Sequence, residues 1–148
     1  MPETISIYRS LWDQMTQFVI AGHIATTTEI YKEMCHVPHS FGDCIQSNLD
    51  ALVMDVGEGE WDFLAYIKHY SRMAKAYEGH LSEYTHMSAK DTICLNDMTV
   101  IALAKALDLP VVSEESSAGN SPLKRRIPDI CLAEGVTHLY FNEFLEKV

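Results

Sequence analysis

Acidic side chains follow a short apolar segment near the middle of the chain, and their position is typical of a metal site. The segment 111–113 is Val-Val-Ser, without alternation of apolar and polar residues, which is the pattern of a strand covered on both faces. Glu114 and Glu115 come directly after it, at its carboxyl end. In open α/β sheets, ligands bind in the crevice beyond the carboxyl ends of the strands. The two glutamates are therefore a candidate site.

A third acid, Asp129, is predicted at the same edge of the sheet. Pro128 suits the first turn of a helix, Gly135 suits its end, and residues 136–141 suit a following strand. A right-handed crossover lays the two strands parallel and brings Asp129 near Glu115. The helix dipole alone would also favour an aspartate in a first turn, so both explanations of Asp129 stay open.

Grouped carboxylates suit a hard divalent cation. Mg²⁺ and Mn²⁺ prefer oxygen ligands, whereas neighbouring acids without a cation repel one another and raise each other's pKa. Such a group therefore has little structural use. A metal bound to it could activate water, so the acids are compatible with metal-dependent hydrolysis.

The segment before the strand is predicted to be a buried helix. Residues 98–107 are apolar on nearly every side, the pair Asn96–Asp97 opens them, and Pro110 disfavours helix at the residue before it. Asp97 then lies at the helix start, where the dipole also favours an acid. The order of helix, strand, helix and strand predicts an α/β fold with a short parallel sheet.

Two further helices are predicted upstream. Residues 7–21 carry apolar side chains at helical spacing, which is the pattern of an amphipathic helix. Thr26 and Glu29 form a capping box that begins a second helix over residues 27–34. The capping box explains Glu29 but not Glu33, which stands one turn further on. A solvated helix glutamate is the ordinary explanation of Glu33.

A longer helix is predicted from Phe63 to Tyr77. Its wide apolar face needs cover from the core or from a partner subunit, and we expect a homodimer or larger assembly. The opposite face is basic, and it is explained either as a solvated surface or as a contact for RNA. Its side chains are Lys68, His69, Arg72 and Lys75.

Three of the eleven basic residues stand together at Lys124, Arg125 and Arg126. They precede a predicted helix start, where the helix dipole disfavours cations, so helix formation does not explain them. The polar segment 116–122 before them is typical of a flexible loop that could gate the acids. The tripeptide is a candidate for binding the phosphates of an RNA substrate.

Composition limits the class of protein. The 148 residues suit one domain with a sizeable core, and 47% hydrophobic with 22% charged residues is typical of a globular protein. No apolar run approaches a membrane span and the start lacks a signal-peptide pattern, so a cytoplasmic protein without membrane contact is expected. A net charge of −10 argues against non-specific wrapping of nucleic acid, and it favours a basic partner.

The cysteines give a weaker signal. Cys35, Cys44, Cys94 and Cys131 are scattered without CxxC spacing, so reduced thiols are expected rather than disulfides. The segment from Cys35 to Cys44 also holds His39, but its ligand spacing fits a structural zinc site poorly. A metal-binding regulatory domain built on Cys35 and His39 stays open as a third function.

The motifs together resemble the PIN-domain nucleases, in which an aspartate opens a helix, an Ala-rich apolar run follows, and a V-V-[ST]-x-[DE] strand end supplies another acid. The segment Arg126-Ile127-Pro128-Asp129-Ile130-Cys131 is similar to the I-P-D-[VI]-C signature of one uncharacterised PIN-like family, the DUF4411 group. The resemblance extends back to residues 10–12 and 29–34 and covers most of the chain as a single domain, residues 1–148. It implies a helix-rich PIN-like fold with three layers, α/β/α, around a short parallel sheet.

The resemblance also implies site residues and partners. Asp97 and Glu33 would be the main ligands of Mg²⁺ or Mn²⁺, while Glu115 and Asp129 would hold the second metal or its waters. The implied activity is that of an endoribonuclease, the toxin of a toxin–antitoxin pair, with an antitoxin protein as partner. The alternative is a catalytically inactive PIN-like binding module.

One departure from the family bears on that choice. The family begins with a strand ending in an Asp-[TA]-[NS] box, and no such box precedes Met1-Pro2-Glu3. Its absence is expected to open the sheet and to weaken metal binding.

Overall fold

The computed structural model describes residues 13–14, 16–21, 24–36, 43–44, 46–48, 61–82, 92–121 and 123–147. The chain divides into two compact units, Met1–Val56 and Gly57–Val148. Predictions for His39, for residues 7–12 and for most of the segment between Cys35 and Cys44 lie outside the described residues.

Most of the described residues of the first unit are helical. Residues 16–20 are helical, as predicted, and α1 spans Thr28–Met34. The Thr27 hydroxyl caps α1 by accepting a hydrogen bond from the Ile30 amide at 3.3 Å. The predicted cap at Thr26 was wrong by one residue, because the helix begins at Thr28 and the residue before it, Thr27, is the N-cap.

The second unit begins with a long helix, α2, at Phe63–Ala76, followed by a 3-10 turn at Glu78–His80. The Asp62 carboxylate caps α2 by accepting from the Ala65 amide at 2.9 Å. Along the predicted apolar face, Met73 is fully buried and three tyrosines pack against the core: Tyr66, Tyr70 and Tyr77. The helix is therefore covered largely within its own unit, although Ile67 stays exposed.

The buried helix α3 spans Leu95–Leu107. It begins at Cys94 as N-cap, earlier than the predicted start at Asn96–Asp97, and Asp97 is its third residue. Asp108 ends it in the left-handed conformation, at φ 54°, which an aspartate tolerates better than most residues. The helix stops before Pro110, as predicted, and α3 supplies much of the core.

The sheet is short and parallel. Strand β1 (Val111–Val112) pairs with β2 (His138–Leu139), with Val111 opposite His138. Helix α4 (Ile127–Glu134) connects them and ends at Gly135, where φ of 70° suits glycine. The predicted cover on both faces of β1 was wrong, because Val111 is buried while Val112 is 40% exposed. The second strand is also shorter than predicted.

The last helix, α5, spans Phe141–Lys147. Asn142 lies inside it, and the Glu143 carboxylate accepts the Tyr140 amide at 2.9 Å. The mixture of helices with a parallel sheet confirms the predicted helix-rich α/β class. Among the described residues, no helix has the length and apolar character needed to cross a membrane.

The main core of the second unit lies where α2, α3, α4 and β1 meet. Its fully buried residues include Met73, Ile93, Met98, Ile101, Ile130 and Cys131. Burial raises the pKa of the Cys131 thiol to about 12, so this cysteine stays protonated and unreactive at neutral pH.

Candidate functional site

Two of the predicted acids lie together at the start of α4. The Glu115 carboxylate accepts a hydrogen bond from the Ile127 amide at 3.1 Å, and the Asp129 carboxylate accepts one from the Arg126 amide at 2.9 Å. Because these amides belong to consecutive residues, the two carboxylates share the first turn of α4, just beyond the carboxyl end of β1. Both acids therefore act as helix caps.

Asp129 also fixes the loop that follows β1. Its carboxylate accepts from the Ser117 hydroxyl and from the Ala118 amide, the latter at 2.9 Å. Partial burial would raise the pKa of Asp129, but the hydrogen bonds from Ser117, Ala118 and Arg126 and the nearby charge of Arg125 outweigh it and lower the pKa. Asp129 is therefore ionised at neutral pH, and it anchors a segment that was predicted to be flexible.

The third acid, Asp97, lies at the start of α3. Its carboxylate accepts from the Cys94 amide at 3.1 Å and from the Cys94 thiol at 3.3 Å, and the residue is only 3% exposed. It is the third residue of α3, just as Asp129 is the third residue of α4. Asp97 therefore caps α3 in the same way as Asp129 caps α4.

The starts of α3 and α4 are paired through the backbone. The Ile93 amide donates to the Arg125 carbonyl at 2.6 Å, and these residues directly precede the two N-caps, Cys94 and Arg126. The Thr92 hydroxyl also donates to the Arg125 carbonyl, at 3.0 Å. Two helix N-termini therefore begin side by side, and each holds an aspartate. The positive ends of both helix dipoles face the same region.

The three residues of the basic tripeptide, Lys124 to Arg126, have different roles. Lys124 is exposed, whereas Arg125 and Arg126 are half-buried. The Arg125 guanidinium donates to the carbonyls of Ser121 at 2.7 Å and of Lys124 at 2.8 Å. Arg125 therefore braces its own loop, in addition to pairing with Ile93 through its backbone. Lys124 is the exposed member of the three.

Glu33 lies half-buried in α1, in the unit Met1–Val56, while Asp97, Glu115 and Asp129 lie in the unit Gly57–Val148. Within the part of the chain that is described, no three His, Cys, Asp or Glu side chains come close enough to share one metal ion. Of the predicted metal ligands, Glu115 and Asp129 are the two that share the first turn of one helix.

Two carboxylates are a set of protein ligands that Mg²⁺ can use. The ion keeps several waters and is commonly held by one or two carboxylates, so a pair can suffice. A carboxylate offers about four lone-pair positions, and one that accepts backbone amides can still bind a cation. Hydrogen bonds of this kind would hold the carboxylates in place for the ion.

A charged cluster that the sequence did not predict joins three helices. The Glu134 side chain, at the end of α4 and 4% exposed, accepts from Arg72 of α2 at 3.1 Å and from Lys105 of α3 at 3.0 Å. It also accepts from the Tyr77 hydroxyl at 2.6 Å. The hydrogen bonds from Arg72, Tyr77 and Lys105 lower the pKa of Glu134 to about 2 despite its burial. Arg72 was assigned to a solvated or RNA-binding face, and its guanidinium instead pairs with an acid of its own unit.

A second contact missed by the sequence analysis lies at the carboxyl edge of the sheet. The Ser113 hydroxyl and His138 Nε2 are hydrogen-bonded at 2.7 Å, which joins the end of β1 to β2. The Glu115 amide donates to the same hydroxyl at 3.4 Å. The His138 ring meets the Tyr140 ring at nearly a right angle, with centroids 5.1 Å apart. In the sequence, this contact could have been found only by combining the predicted parallel pairing of the two strands with the ability of serine and histidine to form a hydrogen bond.

Comparison with known proteins gives one match. A family model described as a domain of unknown function (DUF4411) matches residues 4–148, nearly the whole chain. Neither the curated proteins nor the solved structures give a match.

Proposed function

This chain belongs to the DUF4411 family, a domain family of unknown function, and we propose that it is a PIN-like, metal-dependent endoribonuclease. The observation that carries the proposal is the placement of Glu115 and Asp129 on consecutive amides of α4, beyond the carboxyl end of a parallel strand. Ligand sites of α/β folds occur at this edge.

The proposal assigns each acid a role. Glu115 and Asp129 would hold Mg²⁺ or Mn²⁺, while Asp97 would fix the start of the adjacent helix α3. The bound ion would supply a water of lowered pKa and neutralise charge on the phosphate. The chain's own contribution is to orient the two carboxylates, which the amides of Arg126 and Ile127 do for this pair.

The substrate and partner follow from the same proposal. RNA is the proposed substrate, and Lys124 is its proposed phosphate contact, because its side chain is the exposed one of the tripeptide. The proposed setting is a toxin–antitoxin pair in which an antitoxin protein binds the nuclease. A net charge of −10 favours a partner with a basic surface.

A second candidate is a non-catalytic binding module of the same fold. The favouring observation is that Asp97, Glu115 and Asp129 each accept backbone amides at a helix start, a structural role that requires no metal. In this alternative the acids stabilise α3 and α4, and the chain acts through its surface.

The two candidates differ in the effect of a carboxylate-to-amide substitution. Glu115→Gln keeps an oxygen that can accept the Ile127 amide, so the helix cap survives, but it removes the negative charge that a cation needs. Mn²⁺ at ten times its Kd should stabilise the wild-type protein by about 1.4 kcal/mol and raise its Tm by roughly 4 °C. In Glu115→Gln this rise should disappear, while the Tm without metal stays close to that of the wild type.

Glu114→Gln is the matched control. Glu114 stands one position away and caps α5, because its carboxylate accepts the Phe141 amide at 2.8 Å. This variant should keep the Mn²⁺ response. Cleavage of single-stranded RNA with Mn²⁺ is measured in parallel and should be lost only in Glu115→Gln. An equal Mn²⁺ response in all three proteins, with no cleavage by any of them, would support the binding module instead.

A further inference from the structure

We propose that Tyr140 is a stacking site for a nucleobase of single-stranded RNA at the carboxyl edge of the sheet. The inference rests on the proposed nuclease function. In that function the acids would lie near the phosphate of the RNA, and Tyr140 would contact a base. Tyr140 directly follows β2, and the residue is 39% exposed.

Tyr140 is held at its backbone and at its ring. Its backbone amide donates to the Glu143 carboxylate at 2.9 Å, which fixes the residue at the start of α5. The His138 ring packs against it with an interplanar angle of 88°, and His138 is itself tied to the Ser113 hydroxyl at 2.7 Å. An aromatic side chain has few rotatable bonds, and when its backbone is also fixed it loses little conformational entropy on binding a ligand.

The Tyr140 ring is also connected to the candidate site. The chain of contacts runs from Tyr140 to His138, from His138 to the Ser113 hydroxyl, and from that hydroxyl to the Glu115 amide at 3.4 Å. Glu115 in turn reaches the first turn of α4. A nucleotide whose phosphate lies near Glu115 would therefore have an exposed aromatic ring within reach of an adjacent base.

A nucleobase is the ligand that this arrangement fits. Every base has a π-face, and base–aromatic stacking needs no positive charge from the protein. This matters in a chain with a net charge of −10, where phosphate contacts alone give little affinity. Stacking of this kind is tolerant of sequence, so the site would select unpaired over paired RNA rather than one base over another.

The test compares two RNA probes by fluorescence anisotropy, with Ca²⁺ in place of Mn²⁺ to prevent cleavage. One probe is a single-stranded oligoadenylate, and the other has the same length of abasic ribose phosphate. Tyr140→Leu should weaken binding of the oligoadenylate by roughly 5- to 100-fold and leave the abasic probe unchanged. Tyr140→Phe keeps the ring and should bind both probes as the wild type does. Leu132→Ala, at an exposed position of α4, should change neither.

The outcomes separate this inference from the function on which it rests. If wild-type protein binds neither probe, the nuclease proposal fails and the stacking site with it. If the wild type prefers the oligoadenylate but Tyr140→Leu retains that preference, only the stacking site is overturned. It is also overturned if both probes weaken equally while the melting curve stays cooperative. Should Tyr140→Leu fail to melt cooperatively, Tyr140→Thr replaces it as the variant without a ring.

Discussion

Glu134 offers the sharpest test of how the second unit is held together. Its carboxylate receives hydrogen bonds from Arg72 of α2, from Tyr77 at the end of α2, and from Lys105 of α3. Glu134→Gln keeps the size of the side chain and an oxygen for the Tyr77 hydroxyl. It removes the negative charge, so that Arg72 and Lys105 face an amide instead of a counter-ion.

The expected loss of stability in Glu134→Gln follows from the pKa of Glu134. A fall of the Glu134 pKa from 4.5 to about 2 corresponds to roughly 3 kcal/mol of unfolding free energy at neutral pH. Arg72 is 49% exposed, so its contribution is partly screened by water and can be partly recovered by hydration. We therefore expect Glu134→Gln to cost about 2 kcal/mol at pH 7, which lowers the Tm by roughly 6 °C.

The dependence on pH has a definite sign. Because the folded pKa of Glu134 lies below the unfolded value of 4.5, the unfolded chain binds more protons between about pH 2 and pH 4.5. The stability from Glu134 is complete above this window and is lost as the pH falls through it. The difference in unfolding free energy between wild type and Glu134→Gln should shrink from about 2 kcal/mol at pH 7 to roughly 1 kcal/mol at pH 3.

Urea unfolding followed by circular dichroism at a series of pH values measures this difference. Glu146→Gln is the matched control, since Glu146 is exposed on α5 of the same unit, and its stability should track the wild type throughout. A wild-type minus Glu134→Gln difference that stays constant from pH 7 to pH 3 would refute the ion-pair explanation. It would show that packing, rather than charge, gives Glu134 its effect.

Three further predictions concern other elements. Arg125→Ala should lower the Tm because it removes the brace to Ser121, whereas Lys124→Ala should leave the Tm unchanged and reduce the salt slope of RNA binding by about one. Gly135→Ala should cost about 1–2 kcal/mol in urea unfolding, because nothing crowds the new methyl group and only the positive φ opposes it. Light scattering should give the mass of a homodimer or larger assembly, because part of the apolar face of α2, at Ile67, stays exposed, and a monomer mass would contradict that expectation.

Much of the second unit could be predicted from local signals. Pro110, Pro128 and Gly135 restrict the backbone at their own positions, so the end of α3 and both ends of α4 followed directly from residue type. The parallel pairing of β1 with β2 followed from the order of elements. Helix caps were harder, since neighbouring threonines or acids compete for the same amides. Thr27 rather than Thr26 caps α1 for this reason.

The contacts that the sequence did not reveal join residues far apart in the chain. Glu134 and Arg72 are 62 positions apart, and Ser113 and His138 are 25 apart. No local pattern marks such partners, because each side chain alone is explained as a solvated surface residue. The same limit applied to the acids. Their types suggested a metal site, while their capping of α3 and α4 became visible only when the amides that they contact were known.

The pairing of the two helix starts has a consequence for the order of folding. The residues that lead into α3 are fixed by the Arg125 carbonyl, which lies 33 positions after Thr92 and follows β1 in the chain. A contact of that sequence separation forms only after a long loop has closed, at an entropic cost. Helix α3 and its local cap at Asp97 can therefore form early, while its connection to the start of α4 forms only after that loop has closed. The junction of the two helix starts, next to the candidate site, is then among the last parts of the unit to become ordered.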